Sequence, residues 1–578
     1  MISRVKQDLS LLFNDVLVSL FKEQKDILPI IFFEKPKDVM HGDCASNIAM
    51  QISKLLKKNP NEIAKQIVNK LEINQKIFKF VKKIEIAGPG FINLYLRNDI
   101  KQSFIKEIIT LGENYGTKKL SKSHKVIVEF VSANPTGPLH VGHGRQAALG
   151  DAICNILISQ GFEVFKEFFY NDAGLQILML SESVQSRMKG IDPGDENWPQ
   201  NGYQGEYIND IAKDFLAKKT VKAINCRSIK ASGDVEDLES IRNFAITYLR
   251  NEQDIDLSMF GVKFDNYFLE SSLYKSGKVD FVVKRLNQED KTYKKDGALW
   301  FKTKDFGDDK DRVIMKKDGT FTYFVPDIAY HIDKWERGFK NAINIQGSDH
   351  QGVVLRVKSG LKTLIKDINE NFPKYLLHKM VRVVKDGKEV KISKRSGSYV
   401  TLRDLIEWSS SANLNKEDAL HSISGRDAVR FFLVSRKADS EFIFDVNLAL
   451  KQTDDNPVYY IQYAHARICS ILEQWGGKIT SLDFSDVTKL VLTPELRLMS
   501  KLSEFPEILT KAKDELGPHY ITFFLRELAS EFHSYYNAEK VLVGDEILKN
   551  ARLTLLVAVK QVLSNGLKLI GVSAPKKM

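Results

Sequence analysis

Val126-Ile127-Val128-Glu129-Phe130-Val131 is a nearly continuous apolar run. Asn134-Pro135-Thr136-Gly137-Pro138 follows it, then a helical stretch that begins near His143 and closes at Gly161, then a second run from Glu163 to Tyr170. A strand without polar alternation is one covered on both faces, as in parallel sheets. The Asn/Pro/Gly cluster is a loop, and Gly161 suits the position just past a helix C-terminus. Strand, loop, helix, strand is a βαβ unit, so this stretch predicts a parallel sheet.

Working outward, the chain divides into four blocks with no internal repeat. Block 1–112 opens on a helical period, Leu9, Leu12, Phe13, Val16 and Leu17. A second helix follows Asn59-Pro60, where Asn59 caps and Pro60 fills the first turn. Lys83 to Leu96 alternates in two halves around Gly88-Pro89-Gly90, predicting two strands and a turn. Block 113–400 carries the parallel sheet, with a more polar insertion at about 181–300. Beyond the insertion, Arg312 to Met315 and Phe321 to Val325 flank Asp318-Gly319 and predict a hairpin. Ala342-Ile343-Asn344-Ile345 runs into Gly347-Ser348-Asp349-His350 as a strand ending in a polar loop. Residues 401–450 connect to block 451–578, where Ile521, Phe524, Leu525 and Leu528, then Leu555, Val559, Val562 and Leu563, repeat with helical spacing and predict a helix bundle.

The 578 residues are 43% hydrophobic and 28% charged, which excludes a disordered or collagen-like polymer. The net charge of +11 suits a polyanionic partner and equally suits plain solubility. Cys44, Cys154, Cys226 and Cys469 are nowhere in CxxC spacing. Neither a zinc site nor a disulfide framework is expected, and the chain reads as reduced and cytoplasmic. No apolar run approaches the roughly 20 residues of a membrane span, so no membrane partner is expected. Asp8 and Asp15 argue against a secretory or transit signal at the start.

Two segments carry chemistry. His140-Val141-Gly142-His143 stands at a helix start. Free N–H groups and the helix dipole attract phosphate there. Gly137, Gly142 and Gly144 permit close backbone approach, and two imidazoles can donate to an oxygen that gains charge in a transition state. Such a pair of histidines is also a common accident, or half of a metal site. Gly142-His143-Gly144-Arg145-Gln146-Ala147 matches the GxGxxA dinucleotide pattern too, with Glu163 following. Two prolines separate it from the strand, however, whereas a dinucleotide turn leaves its strand at once. Far downstream, Lys391-Ile392-Ser393-Lys394-Arg395-Ser396-Gly397-Ser398 has the cations, serines and glycine of a loop that closes on a polyphosphate, or of a basic surface turn.

Together these segments resemble the HIGH and KMSKS motifs of the class I aminoacyl-tRNA synthetases, with Val141 for Ile, Ile392 for Met, and Arg395 in place of the last Ser. Within the class the chain is most similar to the arginyl-tRNA synthetase family, over essentially its whole length. Glu129-Phe130 through Ala133-Asn134-Pro135-Thr136-Gly137-Pro138-Leu139-His140 resembles that family's extended HIGH region, and Asn171-Asp172-Ala173-Gly174 its NDAG motif. His41-Gly42-Asp43 and Gly88-Pro89-Gly90-Phe91-Ile92-Asn93 resemble its N-terminal tRNA-binding domain. Asn456 to Arg467 resembles the start of its anticodon-binding helices, and the ending Gly571 to Met578 fits as well.

The resemblance implies an α/β, Rossmann-like parallel-sheet catalytic domain with an α+β N-terminal domain and an all-α C-terminal helix bundle. It implies a cytoplasmic, monomeric arginine–tRNA ligase whose partners are arginine tRNA, ATP and L-arginine. Mg²⁺ is expected to enter with ATP; no zinc and no resident metal site are expected. His140 and His143 would hold the ATP phosphates, and Lys391 and Lys394 the departing pyrophosphate. Gly137, Gly142, Asp349 and Ser393 would complete the ATP site. Glu129, Asn134, Tyr323, Asp327 and His350 would line the arginine pocket, where a guanidinium wants carboxylates in a planar fork. Phe91 and Asn93 would read a tRNA loop base, and Tyr460, Arg467, Tyr536 and Met578 an anticodon base. Taken singly, each residue also has a plain reading: packing for Tyr323 and Tyr460, a helix-start cap for Asp327, a frayed end for Met578.

Three rivals stand beside this reading. A non-catalytic tRNA-binding paralogue should have lost the histidines or lysines, and both sets are present. A nicotinamide-dependent oxidoreductase would bind NAD and not ATP. A sister enzyme for an uncharged amino acid would leave Glu129 and Asp327 without a partner.

Overall fold

The structure, a computed structural model, describes residues 2–36, 41–120, 124–172, 174–222, 228–390, 399–410, 418 and 420–578. Helices α1 (Ile2–Leu20), α2 (Ile48–Leu56) and α3 (Pro60–Asn74) enclose the first core with β1 (Cys44–Ser46), β2 (Val81–Ala87) and β3 (Phe91–Leu96). The three strands form an antiparallel sheet in the order β1-β3-β2. The Asn59 side chain accepts from the Asn61 N–H at 2.8 Å, capping α3 as its sequence predicts. Helix α4 (Asn98–Leu111) leaves this core: Phe104 packs in it, while Ile105 and Ile108 pack in the large core beyond. Asp43, from the His41-Gly42-Asp43 motif, is a joint between domains. It accepts from the Leu96 N–H (2.8 Å) and from Ser500 Oγ (3.3 Å), and pairs with Lys101 (2.7 Å).

The central sheet comprises β4 (Lys125–Glu129), β5 (Glu163–Tyr170), β8 (Asn266–Leu269), β12 (Ala342–Gly347) and β13 (Lys374–His378), all parallel in the order β13-β12-β4-β5-β8. Helix α5 (Val141–Ser159) crosses from β4 to β5, as the opening stretch predicts. Helices α6 (Leu175–Met188), α7 (Glu206–Leu216) and α8 (Leu238–Met259), with the short pair β6 (Thr220–Val221) and β7 (Ile229–Lys230), build a satellite core around Leu180, Ile208, Phe215 and Phe244. Then come α9 (Glu270–Lys275), α10 (Lys278–Gln288) and an antiparallel sheet of β9 (Thr292–Lys295), β10 (Ala298–Phe301) and β11 (Arg312–Met315). Helix α11 (Phe324–Glu336) precedes β12, and α12 (Gln351–Leu364) lies between β12 and β13. A third small sheet joins β14 (Val381–Lys385) to β15 (Lys388–Val390) and β16 (Phe442–Asp445), with α13 (Leu402–Trp408) and α14 (Ile423–Val434) between the last two strands and α15 (Val446–Leu450) after them. The C-terminal bundle is α16 (Pro457–Trp475), α17 (Thr493–Ser503), α18 (Phe505–Asp514), α19 (His519–Ala538) and α20 (Glu546–Leu569).

Two sequence expectations change. The stretch 181–300 is not wholly an insertion, because β8 returns from it to edge the main sheet. The hairpin across Asp318-Gly319 is half formed. The turn closes, with Lys316 N–H donating to the Thr320 carbonyl at 2.9 Å, and Met315 bridges Phe321. Phe324 and Val325 then open α11 instead of extending a strand. Pro326 explains this: it has no N–H for a sheet ladder but fits the first turn of a helix.

Candidate active site

At the nucleotide end, the backbone after β4 is strained. Val131 and Ser132 have φ of 69° and 41°, a left-handed region that a β-branched residue seldom adopts. Ser132 Oγ holds the turn by accepting from the Phe169 N–H (3.2 Å) and donating to Glu129 Oε1 (3.1 Å). The loop then reaches His140, which caps α5. His140 Nδ1 accepts from the Gly142 N–H (3.1 Å) and the His143 N–H (3.3 Å), and the His140 N–H donates to His143 Nδ1 (3.3 Å). The two rings stack with centroids 3.7 Å apart. With both Nδ1 atoms accepting, each neutral imidazole carries its proton on Nε2 as a donor. A Cβ on Gly142 would stand 2.9 Å from the His140 ring, and one on Gly137 2.9 Å from the Tyr399 hydroxyl, so neither position admits a side chain without displacement.

Lys391, Ser393, Lys394 and Arg395 lie outside the described residues. The segment that follows them does not. Val141 N–H donates to the Val400 carbonyl (3.1 Å), and Leu402 N–H to the Leu139 carbonyl (2.8 Å), with His140 bridged to Thr401. The chain leaving the lysine motif is therefore zipped to the histidine motif. Asp349 is exposed, with the His350 ring nitrogen 3.7 Å from its carboxylate.

The amino-acid end is a polar layer inside an otherwise apolar sheet. One register row crosses all five strands: Tyr375 on β13, Asn344 on β12, Glu129 on β4, Glu167 on β5 and Asn266 on β8. Helix α11 covers that row with its own polar face. Lys334 Nζ donates to Glu129 Oε2 (2.7 Å) and Asn344 Oδ1 (3.1 Å), and sits 4.0 Å from the Tyr330 ring centroid. Arg337 grips Glu167 with both terminal nitrogens (2.7 and 2.8 Å), and the Tyr330 hydroxyl donates to the same carboxylate at 2.8 Å. Burial, then Lys334, holds His331 well below the usual histidine range; neutral, its Nε2 accepts from Asn344 (3.3 Å) and from the Tyr375 hydroxyl (3.2 Å).

Asp327 lies one turn into α11, beside Glu129. Burial, then the like charges of Glu129 and Glu270, push its carboxyl up to about 8 against the pull of Lys334. Glu270, at the start of α9, is pushed up to about 7 by burial and Asp172. Asp172 itself, in the NDAG motif, fixes that helix start by accepting from Ser271 N–H (2.9 Å) and Oγ (2.8 Å); Ala173 lies outside the described residues. Glu129 is buried and Asp327 and Glu270 are half-buried, so this cluster of carboxylates suits a cation.

Other expected pocket residues are placed less directly. Tyr323 is 61% exposed just before α11, and its hydroxyl accepts from Arg356 Nη1 at 2.8 Å. Asn134 donates to Gln176 Oε1 at 2.7 Å from the loop after β4. His350 is exposed beside Asp349 rather than against the carboxylates. Lys334, Asn344 and Glu270 went unread in the sequence. The signal for Lys334 was the spacing of Asp327, Tyr330, His331, Lys334 and Arg337, a polar stripe at helical period.

At the far end, a cavity of about 530 Å³ is lined by Tyr463, Arg467, Tyr536, Lys577 and Met578 among others. Arg467 donates to the Tyr463 hydroxyl (2.7 Å) and lies 4.3 Å from the Tyr536 ring centroid. The tail that brings Met578 here is fastened: Gln462 donates to the Ser573 carbonyl (3.0 Å), Asp427 accepts from the Ser573 N–H (2.9 Å), and His465 Nδ1 donates to the Pro575 carbonyl (2.8 Å). Tyr460 does not line this cavity; it packs on His533 with centroids 4.6 Å apart, and Tyr463, one turn on, takes its place. In the N-terminal sheet Phe91 is 36% exposed, but Asn93 is only 3% exposed. As β3 is placed, Asn93 is covered, and Phe91 is the exposed member of the pair.

Three family models match in chain order: an arginyl tRNA synthetase N-terminal domain over 3–96, a class I (R) tRNA synthetase catalytic domain over 104–429, and a DALR anticodon binding domain over 461–578. The chain is 57% identical to an arginine–tRNA ligase of Janthinobacterium sp. (strain Marseille) and 57% identical to that of Herminiimonas arsenicoxydans, covering 100% of both sequences in each case. The solved arginyl-tRNA synthetases of Thermus thermophilus (TM-score 0.73, 22% identity, 99% of this chain and 100% of that one) and Plasmodium falciparum (TM-score 0.76, 17% identity, 99% of each) share its fold. With family models matched along nearly the whole chain and relatives 57% identical over its full length, the chain belongs to the arginyl-tRNA synthetase family.

Proposed function

We infer that the protein is a class I arginine–tRNA ligase. It activates L-arginine with ATP to arginyl-adenylate, releasing pyrophosphate, and transfers arginine to the 3′-terminal adenosine of its tRNA. The observation that supports the substrate is the cluster of carboxylates around Asp327, buried at Glu129 and half-buried at Asp327 and Glu270, which a guanidinium satisfies and an uncharged side chain leaves unpaired.

In the first step the arginine carboxylate attacks the α-phosphorus of ATP, supplied with its Mg²⁺ as one substrate. In the second, a hydroxyl of the terminal adenosine attacks the carbonyl carbon and AMP leaves. Little acid–base work is needed, so positioning and charge stabilisation do most of it. His140 and His143 donate from Nε2 to phosphate oxygens, Gly137 and Gly142 let the nucleotide close on the helix start, and Lys391, Ser393 and Lys394 close over the departing pyrophosphate. What supports the lysine role is the pairing of the following segment with the histidine loop. Asp349 approaches the nucleotide from the β12 loop. Glu129 and Asp327 line the arginine pocket, with Asp327 toward the guanidinium; Asn134, Tyr323 and His350 rim it. Arg467, Tyr536 and Met578 receive an anticodon base, and Phe91 a loop base.

The division of labour follows the blocks 1–112, 113–400, 401–450 and 451–578. We propose that the protein works as a cytoplasmic monomer. Charging total tRNA with each of the twenty amino acids tests the reading. Arginine alone should be transferred, and transfer of any other amino acid in its place would overturn it.

A further inference from the structure

We propose that Lys334 is a positioning residue for the arginine site: its buried ammonium holds and balances Glu129, and thereby leaves Asp327 as the carboxylate that answers the substrate guanidinium. The inference rests on the arginine–tRNA ligase reading and deepens it.

The argument is one of charge placed in a closed layer. Lys334 and Glu129 are 0% and 5% exposed at their side chains, so no solvent can compensate either. Glu129 Oε2 is committed to the ammonium and Oε1 accepts from Ser132, which fixes the plane of the carboxylate. Along the same row Arg337 balances Glu167 with a two-pronged grip. The floor of the site is therefore neutral, pair by pair. Asp327 has no hydrogen bond or ion pair from any described residue; it interacts with Glu129, Glu270, Tyr274 and Tyr375, and Lys334 is the cation that acts on it. Two carboxylates this close cannot both be ionised unless a cation joins them. Lys334 meets that condition for one of the two, and the substrate meets it for the other. With Lys334 present the pair already keeps a proton on Asp327; without it, Glu129 and Asp327 would hold protons more tightly, and the guanidinium would have more to displace. A purely structural ion pair would treat the two substrates alike; this one should act on arginine and not on ATP.

The test uses the full chain, tRNA charging at saturating tRNA, and the KM of arginine and of ATP between pH 6 and 9. Lys334→Met should raise the arginine KM at least about tenfold at pH 7, with the ATP KM within about twofold, and the arginine KM should fall more steeply with rising pH than in the parent. Glu129→Gln leaves a lone buried ammonium under the guanidinium, so adding Lys334→Met to it should lower the arginine KM again. That rescue can be read even if Lys334→Met alone fails to fold, because the double variant carries no unpaired charge. Arg337→Met is the control in the same layer and should cost stability without an arginine-specific effect. The inference is overturned if Lys334→Met leaves the arginine KM within about twofold of the parent, if the ATP KM rises in step, if the double variant is no better than Glu129→Gln, or if Arg337→Met behaves as Lys334→Met does. A parent that charges no arginine would overturn the ligase reading and this inference with it. A parent that charges arginine normally while the variants give those results would overturn this inference alone.

Discussion

The two ends of the molecule recognise by opposite means. Under α11, Lys334 is paired with Glu129 and Arg337 with Glu167, and the side chains of Lys334 and Glu167 are 0% exposed. Around Arg467 the side chains are half-buried, the cation already lies on Tyr536, and the cavity opens to solvent with Met578 53% exposed at its rim. A small cation must be told from other amino acids by charge, which is decisive only where water is excluded. A nucleotide base is held by stacking, which tolerates water and needs room. The first site stores a proton at Asp327 that a cation can replace; the second stores shape.

That contrast breaks most visibly at Asp327. Asp327→Asn should cut arginine kcat/KM by about 10³-fold or more, as for a site that loses its buried partner for a substrate charge. It should also raise the Tm of the ligand-free protein. The sign follows from linkage. The folded carboxyl titrates at about 8 and the unfolded one near 3.9, so the native state holds the extra proton and stability is lost as pH rises from about 4 to about 8. Calorimetry of the two proteins at pH 8 checks this; a lower Tm for the variant would mean that Asp327 is satisfied by a group in the empty protein.

Next in size is His143→Ala, expected to lower kcat by about 10²-fold or more through loss of one preorganised donor. It also removes half of the α5 cap, about 1 kcal/mol of stability. Near-normal charging by a folded His143→Ala protein would remove the histidine from the phosphate site. At the RNA end, Tyr536→Ala should raise the tRNA KM by about 1–3 kcal/mol of lost stacking and leave the arginine KM unchanged. An effect on arginine first would merge the two ends that the comparison separates. The smallest effect is expected at Tyr460. Because its ring packs on His533 outside the cavity, Tyr460→Phe should leave tRNA affinity within about twofold, while Tyr463→Ala weakens it.

Much of the frame was legible in order. The run Val126 to Val131, the proline loop and Gly161 announced β4, α5 and β5, because a doubly covered strand has to be apolar and a helix end favours glycine. Asn59-Pro60 announced α3 for a local reason, its own cap. What failed was non-local. Asn266 to Leu269 is too short to call a strand until β5 is beside it. Phe321 to Val325 has a strand's composition, and only Pro326 turns it into a helix start. Within the site, the motif residues were readable because each carries its own chemistry. Lys334 was not, since a lysine in sequence is a solvated surface residue by default. Its function exists only through Glu129, some two hundred positions away in the chain and 2.7 Å away in the fold. The burial of Asn93 was not legible for the same reason: strand alternation gave its face, but not what covers that face.

The account turns on Asp327 holding a proton that arginine expels. Titration calorimetry of L-arginine into the full-length protein, in two buffers of different ionisation enthalpy, counts that proton. At pH 7 close to one should be released per arginine bound, falling towards none by about pH 9.5, where the carboxyl is already ionised. Arginine binding with no proton release at pH 7 would contradict the account.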